Sequence, residues 1–218
     1  MKIKVVENVL KANDAVAETN RKLMNKHDLL AINIMSAPGS GKTTLLQKTI
    51  AALSPEYSSA VLVGDLQTTR DAERLSDLGA EVIQINTGRG CHLDPTQVTQ
   101  GLTDLNLEKV DFLFIENVGN MVCPASFDLG EHKRVVLLSI PEGDDKVAKY
   151  PTLFQLADAI LLSKTDLSEV LEFRKDLFYD DVKKVNTAAQ VLELSCKTGD
   201  GLENWYAWLT DQHASFQK

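Results

Sequence analysis

The chain has 218 residues, 44% of them hydrophobic and 25% charged, with a formal net charge of −8. That length is one large domain or two small ones, buries about 70% of the unfolded surface and needs no disulfide or metal staple to fold. The acidic balance speaks against a protein that coats nucleic acid or an anionic membrane. With no run of about 18 apolar residues, no membrane span is predicted.

In chain order, the first 28 residues read as a helix, with Val5, Val6, Val9, Leu10, Ala17 and Leu23 at roughly helical spacing. Met1 to Leu10 carries no apolar run ending in small residues, so no signal peptide is expected. Leu30 to Met35 is the first apolar run, followed by a helix over Lys42 to Ala52. Ala60 to Val63 then precedes a helix over Thr69 to Leu78, and Glu81 to Ile85 precedes one over Pro95 to Leu102. Asp111 to Ile115 and Arg134 to Ile140 are further runs, and a helix is predicted over Thr152 to Ala157. Ala159 to Leu162, a helix over Ser168 to Phe178, Gln190 to Leu194 and a helix over Gly201 to His213 complete the chain. The short runs are β-branched and mostly apolar, as in parallel strands covered on both faces. The alternation predicts an α/β fold: a mainly parallel sheet of about seven strands with helices on both faces. Residues 29–218 form that domain, and residues 1–28 are a helix packed on it. Ligands of such sheets lie beyond the C-terminal ends of the strands. Strand order is left open.

Ser36-Ala37-Pro38-Gly39-Ser40-Gly41-Lys42-Thr43-Thr44 lies between the first strand and the first core helix, where a phosphate-binding loop belongs. Gly39 and Gly41 let the backbone curl with its N–H groups inward around Ser40, and the helix dipole adds to the same spot. Lys42 is expected between the β- and γ-phosphates, with the Thr43 hydroxyl on Mg²⁺ and Thr44 beside it. Ser36 stands where the usual pattern has its first glycine. The plain alternative is a chance glycine-rich turn.

The base must be argued separately. Ser163-Lys164-Thr165-Asp166 resembles the Asn-Lys-x-Asp guanine motif, with serine in place of asparagine. A carboxylate at Asp166 accepts guanine N1–H and N2–H₂, a donor pair adenine lacks, and an unpaired buried polar group gives strong discrimination. The Lys164 stem lies along the base plane. Ser195-Cys196-Lys197-Thr198-Gly199 resembles the Ser-Ala-Lys loop whose N–H groups meet guanine O6. For either motif alone the plain alternative is a solvated strand-end loop; both, in order behind a phosphate loop, favour GTP and GDP.

Asp65, after the second strand, is placed to reach Mg²⁺ or the attacking water. Glu116-Asn117-Val118-Gly119-Asn120 looks like a variant Asp-x-x-Gly switch, making Glu116 a second magnesium candidate, through water. Gly119 is expected to donate its N–H to the γ-phosphate and to move when that phosphate leaves. Lys42, Asp65 and Glu116 are thus the catalytic candidates, with a load of positioning and charge neutralisation. No arginine finger is evident; Arg70, Arg74 and Arg89 are near only in sequence.

The three cysteines, Cys91, Cys123 and Cys196, are sparse and odd in number, which points to a reducing cytoplasm. Cys91-His92 follows the third strand and Cys123-Pro124 closely follows the switch glycine. Thiolate and imidazole suit Ni²⁺ or Zn²⁺ and not Mg²⁺. Three ligands leave a tetrahedral shell short, which a two-fold homodimer completes. The plain alternative is cysteine packed as a small hydrophobe. Cys123 lies four residues after Gly119, so nucleotide state and metal affinity are expected to be linked reciprocally.

These segments together resemble the hydrogenase nickel-incorporation GTPases, a family similar to the signal-recognition and MinD-like class of P-loop GTPases. The likeness covers nearly the whole chain. It runs from Ala12-Asn13-Asp14 and Asn20-Arg21 through Ser36 to Thr44, Gly64 to Thr68, Asp71 to Arg74 and Gly90-Cys91-His92-Leu93-Asp94. It continues through Glu116 to Asn120 with Cys123-Pro124, Glu142 to Lys146 with Lys149-Tyr150-Pro151, and Ser163 to Asp166. The resemblance implies a GTP-hydrolysing metallochaperone binding nickel or zinc through Cys91, His92 and Cys123 at a nucleotide-dependent dimer interface. Its implied partners are a zinc-bearing nickel-binding maturation protein and the hydrogenase large-subunit precursor. The N-terminal cysteine motif and histidine-rich tract of some members are missing here. The charged loop with Asp144, Lys146 and Lys149 meets the nucleotide or the second subunit by analogy, or is simply solvated.

Three rivals remain. A urease-type nickel GTPase typically has Cys-Pro-His in one segment, whereas here Cys-His and Cys-Pro lie on two. A P-loop small-molecule kinase would leave Asp166 idle. A purely regulatory GTP switch would leave the cysteines inert. His132, in a charged stretch, is expected at the surface, and Trp205 and Trp208 on the sheet.

Overall fold

Apolar runs of four to seven residues suit single buried strands, and each becomes one in the computed structural model, which describes residues 7–65, 70–88 and 90–217. The strands are β1 (Leu30–Ser36), β2 (Ser59–Asp65), β3 (Glu81–Asn86), β4 (Phe112–Glu116), β5 (Lys133–Ser139), β6 (Ala159–Ser163) and β7 (Gln190–Leu194). They form one sheet in the order β3-β2-β4-β1-β5-β6-β7, every pair parallel. The helices are α1 (Glu7–Lys26), α2 (Lys42–Leu53), α3 (Arg70–Ser76), α4 (Pro95–Thr103), α5 (Lys146–Lys149), α6 (Pro151–Gln155), α7 (Lys175–Val185) and α8 (Leu202–Phe216).

The order puts β1 at the centre, with Ile34 opposite Glu116 on one side and Val135 on the other. Its side chains alternate between the two faces of the sheet, as a strand must. Leu30, Ile32 and Ile34 pack with Leu45, Leu46 and Ile50 of α2 and Trp205 of α8. Leu29 and Ala31 turn to Met24, Val98 and Leu102 of α1 and α4, while Met35 joins Phe154 and Phe178. Trp205 is fully buried, stacks on Trp208 at 5.4 Å and donates its indole N–H to Thr49 Oγ1 at 2.9 Å. Both tryptophans pack onto the sheet, as their spacing predicted.

The N-terminal helix is held to α4 by Asn20, whose Nδ2 donates to the carbonyls of Pro95 and Leu129 at 2.8 and 3.1 Å. Thr99 Oγ1 donates to Asn20 Oδ1 at 2.7 Å. Arg21 Nη2 sits 2.7 and 2.8 Å from the two oxygens of Asp128.

Three expectations are corrected. The helix predicted over Ser168 to Phe178 starts only at Lys175. Glu172 takes a left-handed φ of 49°, and the Phe173 N–H closes back on the Ser168 carbonyl at 3.1 Å. Arg174 is clasped by Asp144, at 2.8 Å from Nε and 3.0 Å from Nη2, which fixes that turn. The short α5 was not anticipated, because four residues carry no periodicity. His132 lies largely inside rather than at the surface: its Nδ1 accepts the Ala31 N–H at 2.9 Å and its Nε2 lies 2.8 Å from Asn25 Oδ1. Burial drives its pKa down from 6.5 to about 4, with help from Arg21 and Lys133. Leu66 to Thr69 and Arg89, singled out in the sequence, lie outside the described residues, as does the Arg70 side chain.

Candidate nucleotide and metal site

The central strand delivers Ser36 to the loop, and α2 begins at Lys42. Gly41 turns the chain with φ 105°, in the left-handed region glycine favours. It gives α2 no side-chain cap, so the helix keeps first-turn N–H groups for an anion. Lys42 is buried and its Nζ donates to Ser36 Oγ at 2.9 Å. The serine in place of the usual glycine is therefore a resting partner for the lysine.

Lys42, Thr43, Asp65, Arg74, Glu116 and Gly119 line one cleft of about 430 Å³, together with Gly39, Gly41 and Thr44. Thr43 Oγ1 donates to Glu116 Oε1 at 2.7 Å. A hydroxyl and two carboxylates beside a phosphate loop are hard oxygen donors, and that chemistry fits Mg²⁺. Of the three arginines near in sequence, Arg74 is seen to line this cleft.

Beyond Gly41 and Thr44, which border both spaces, a second cavity of about 330 Å³ is lined by Ser40, Lys164, Asp166, Ser195, Cys196 and Lys197. Lys164 adopts a left-handed φ of 58°, and its Nζ donates to the Gly39 carbonyl at 2.7 Å. Ser163 Oγ donates to the Ser40 carbonyl at 3.1 Å, so serine at the motif's first position still reaches the phosphate loop. Ser195 Oγ donates to Asp166 Oδ1 at 2.7 Å, with Lys197 Nζ 3.9 Å from Oδ2. The Cys196 thiol is raised above its ordinary pKa by burial. Sequence reasoning gave Glu142 no role: its Oε1 lies 2.7 Å from the hydroxyl of Ser40 and takes the Ser139 N–H at 2.8 Å. The signal that would have found it is Ser-x-x-Glu at the end of β5, a capping box.

The ligand atoms of Cys91, His92 and Cys123 lie within 4.8 Å of one another. Cys91 Sγ is 3.5 Å from His92 Nδ1. The Cys123 thiol beside Cys91 holds the latter above its ordinary pKa, with burial second. Burial lowers the His92 pKa, which favours the neutral imidazole a metal needs, and its ring stacks on Phe127 at 4.0 Å. Two thiols and an imidazole fit Ni²⁺ or Zn²⁺ and not Mg²⁺. Asn120, also unassigned from sequence, donates from Nδ2 to Cys123 Sγ at 3.5 Å, and its Oδ1 takes the N–H of Val122 at 2.7 Å.

The convergence needs a detour. The strands before these two loops are not neighbours, because β2 lies between β3 and β4. The Cys91-His92 loop crosses over the end of β2, where a β-carbon on Gly64 would stand 2.8 Å from Leu93 Cγ. Glycine leaves the room for that crossing.

The match to known proteins is extensive. Residues 30–193 match the family model described as CobW/HypB/UreG, nucleotide-binding domain. The chain is 48% identical over 207 residues to the hydrogenase maturation factor HypB of Rhizobium leguminosarum bv. viciae, covering 95% of this chain and 69% of that protein. It superimposes on the crystal structure of HypB from Helicobacter pylori in complex with nickel with a TM-score of 0.90 and 43% identity, over 94% of this chain and 96% of the other. The fold alone is shared with the cell division protein FtsY of Thermotoga maritima, at 13% identity and TM-score 0.56, over 81% and 68% of the two chains.

Proposed function

The chain belongs to the CobW/HypB/UreG family of nucleotide-binding domains, and from that premise we propose that it is a GTP-hydrolysing metallochaperone for nickel–iron hydrogenase. The observation that carries the reading is the cluster of Cys91, His92 and Cys123 within 4.8 Å, with Cys123 four residues after Gly119, which lines the phosphate cleft. The similarity to hydrogenase maturation factors supports the destination of the metal.

In this reading guanine enters the cavity beside Asp166, whose carboxylate takes N1–H and N2–H₂ while Ser195 holds it in place. Lys42 leaves Ser36 and turns to the β- and γ-phosphates. Thr43, with Asp65 and Glu116, would hold Mg²⁺, which supplies charge neutralisation when bound. Water attacks the γ-phosphorus and the bond to the bridging β–γ oxygen breaks, giving GDP and inorganic phosphate. Asp65 orients that water, and Gly119 donates its N–H to the γ-phosphate. Nickel or zinc is cargo on Cys91, His92 and Cys123, and the same residues of a second copy fill the shell these three leave short. Handover involves a zinc-bearing nickel-binding maturation protein and the hydrogenase large-subunit precursor.

The test is sedimentation of the nucleotide-free, GDP-bound and GTP-analogue-bound protein, each with and without Ni²⁺, alongside phosphate release from GTP. GTP-specific hydrolysis and a nucleotide-dependent, metal-loaded dimer are expected. ATP serving as well as GTP, or nickel binding unchanged by loss of both Cys91 and Cys123, would overturn the reading.

A further inference from the structure

Asn117 stands between the switch and the metal loop. It follows Glu116 at the end of β4, is 1% exposed and precedes Gly119 by two residues. Its Oδ1 accepts the backbone N–H of Leu93 at 3.1 Å and of Val118 at 3.0 Å. Two backbone donors on one atom fix the amide orientation, because only the oxygen serves both. Its Nδ2 donates to Asn33 Oδ1 at 3.2 Å, and Asn33 Nδ2 donates to Glu131 Oε1 at 3.3 Å. Glu131 takes the Arg134 Nε at 2.6 Å, and Arg134 Nη2 reaches the carbonyl of Phe127, the ring stacked on His92. The relay thus touches the metal loop at Leu93 and returns to Phe127, whose ring stacks on His92.

We propose that Asn117 is the positioning residue through which nucleotide state reaches Cys91 and His92; this rests on the nucleotide-linked metal site proposed above. The covalent path from Gly119 leads only to Cys123. Asn117 supplies the other arm, to the other two ligands. When Glu116 to Gly119 shift toward a γ-phosphate, Asn117 shifts with them. Leu93 is fully buried, so its N–H must follow or lose its partner, and a buried unpaired donor is costly. The same segment is tied to β2: the Thr87 N–H donates to the Asp65 carbonyl at 3.1 Å and Leu93 covers Gly64. The metal loop is therefore clamped between the two strand ends that carry Asp65 and Glu116.

The experiment measures Ni²⁺ affinity by competition with a chromophoric chelator, in the presence of GDP and of a non-hydrolysable GTP analogue. For the unaltered protein the two affinities should differ about 5-fold or more. Asn117→Ala should bring the ratio to about 1, whatever happens to the absolute affinities. Asn117→Asp, which keeps an acceptor for both N–H groups but loses the donor to Asn33, should retain a ratio clearly above 1. A ratio of 1 in the unaltered protein would sink the nucleotide-linked metal site itself. A ratio retained in Asn117→Ala would sink the role of Asn117 alone. Amide hydrogen exchange on the unaltered protein decides independently of any variant's folding: protection of the peptide containing Leu93 should differ between the GDP and GTP-analogue forms, and identical protection overturns the proposal.

Discussion

Gly119 lies so close against Pro38 that a β-carbon on it would stand 2.9 Å from both the backbone nitrogen and Cα of the proline. Switch and phosphate loop are thus in backbone contact, with no side chain that can give way. Gly119→Ala must push the two apart, at a cost of about 1–3 kcal/mol. It should weaken a GTP analogue about tenfold more than GDP, read by fluorescence titration of labelled nucleotides. Equal weakening of both would show that Gly119 does not sense the γ-phosphate.

Asp166 should decide the base. An amide at this position keeps one acceptor and gains a donor, so it no longer matches guanine's two N–H groups but does match the 2-oxo group of xanthine. Asp166→Asn should lower GTP affinity by about 100-fold or more and raise that for XTP. Competition of GTP, XTP and ATP against bound GDP checks it. A variant with unaltered GTP preference would place the base elsewhere.

Thiolates should dominate metal binding. Cys91→Ala or Cys123→Ala should reduce Ni²⁺ affinity by more than about 100-fold, and Asn120→Ala by about tenfold, as expected for a group that only orients a ligand. Chelator competition at fixed nucleotide reads all three. An Asn120→Ala protein as weak as Cys123→Ala would mean that the loop, not the donor atom, was lost.

His132 should make the fold acid-sensitive. Its pKa is about 4 in the folded chain against 6.5 for an ordinary histidine, with burial the main cause. The folded state therefore binds fewer protons between these values, and stability falls as pH drops from about 6.5 toward 4. Because the ring is not fully shielded, the loss at pH 5 is about 1 kcal/mol. Urea unfolding at pH 7 and pH 5 measures it, and His132→Ala should flatten that part of the dependence. The same slope in both proteins would assign the sensitivity to other groups.

Local chemistry was legible along the chain. Apolar runs became strands within a residue or two because strand burial repeats over short windows, and Gly39 to Thr44 announced the phosphate loop because that loop is built from consecutive residues. Asp166 and Ser195, each just after a strand, come together in one cavity beside that loop. Where a local pattern competed with a distant partner, the sequence misled. Arg174 is held by Asp144, thirty positions away, and the helix begins after that clasp instead of at Ser168. His132 looked exposed among charges, yet it serves the Ala31 N–H from the next strand.

Composition, the strand–helix alternation and the two nucleotide motifs were set by sequence alone, since periodicity and loop chemistry act over a few residues. The order β3-β2-β4-β1, the passage of Leu93 over Gly64 and the bond from Asn117 to Leu93 were decided only in three dimensions. They join residues far apart in the chain, and only the packed sheet sets the distance between them.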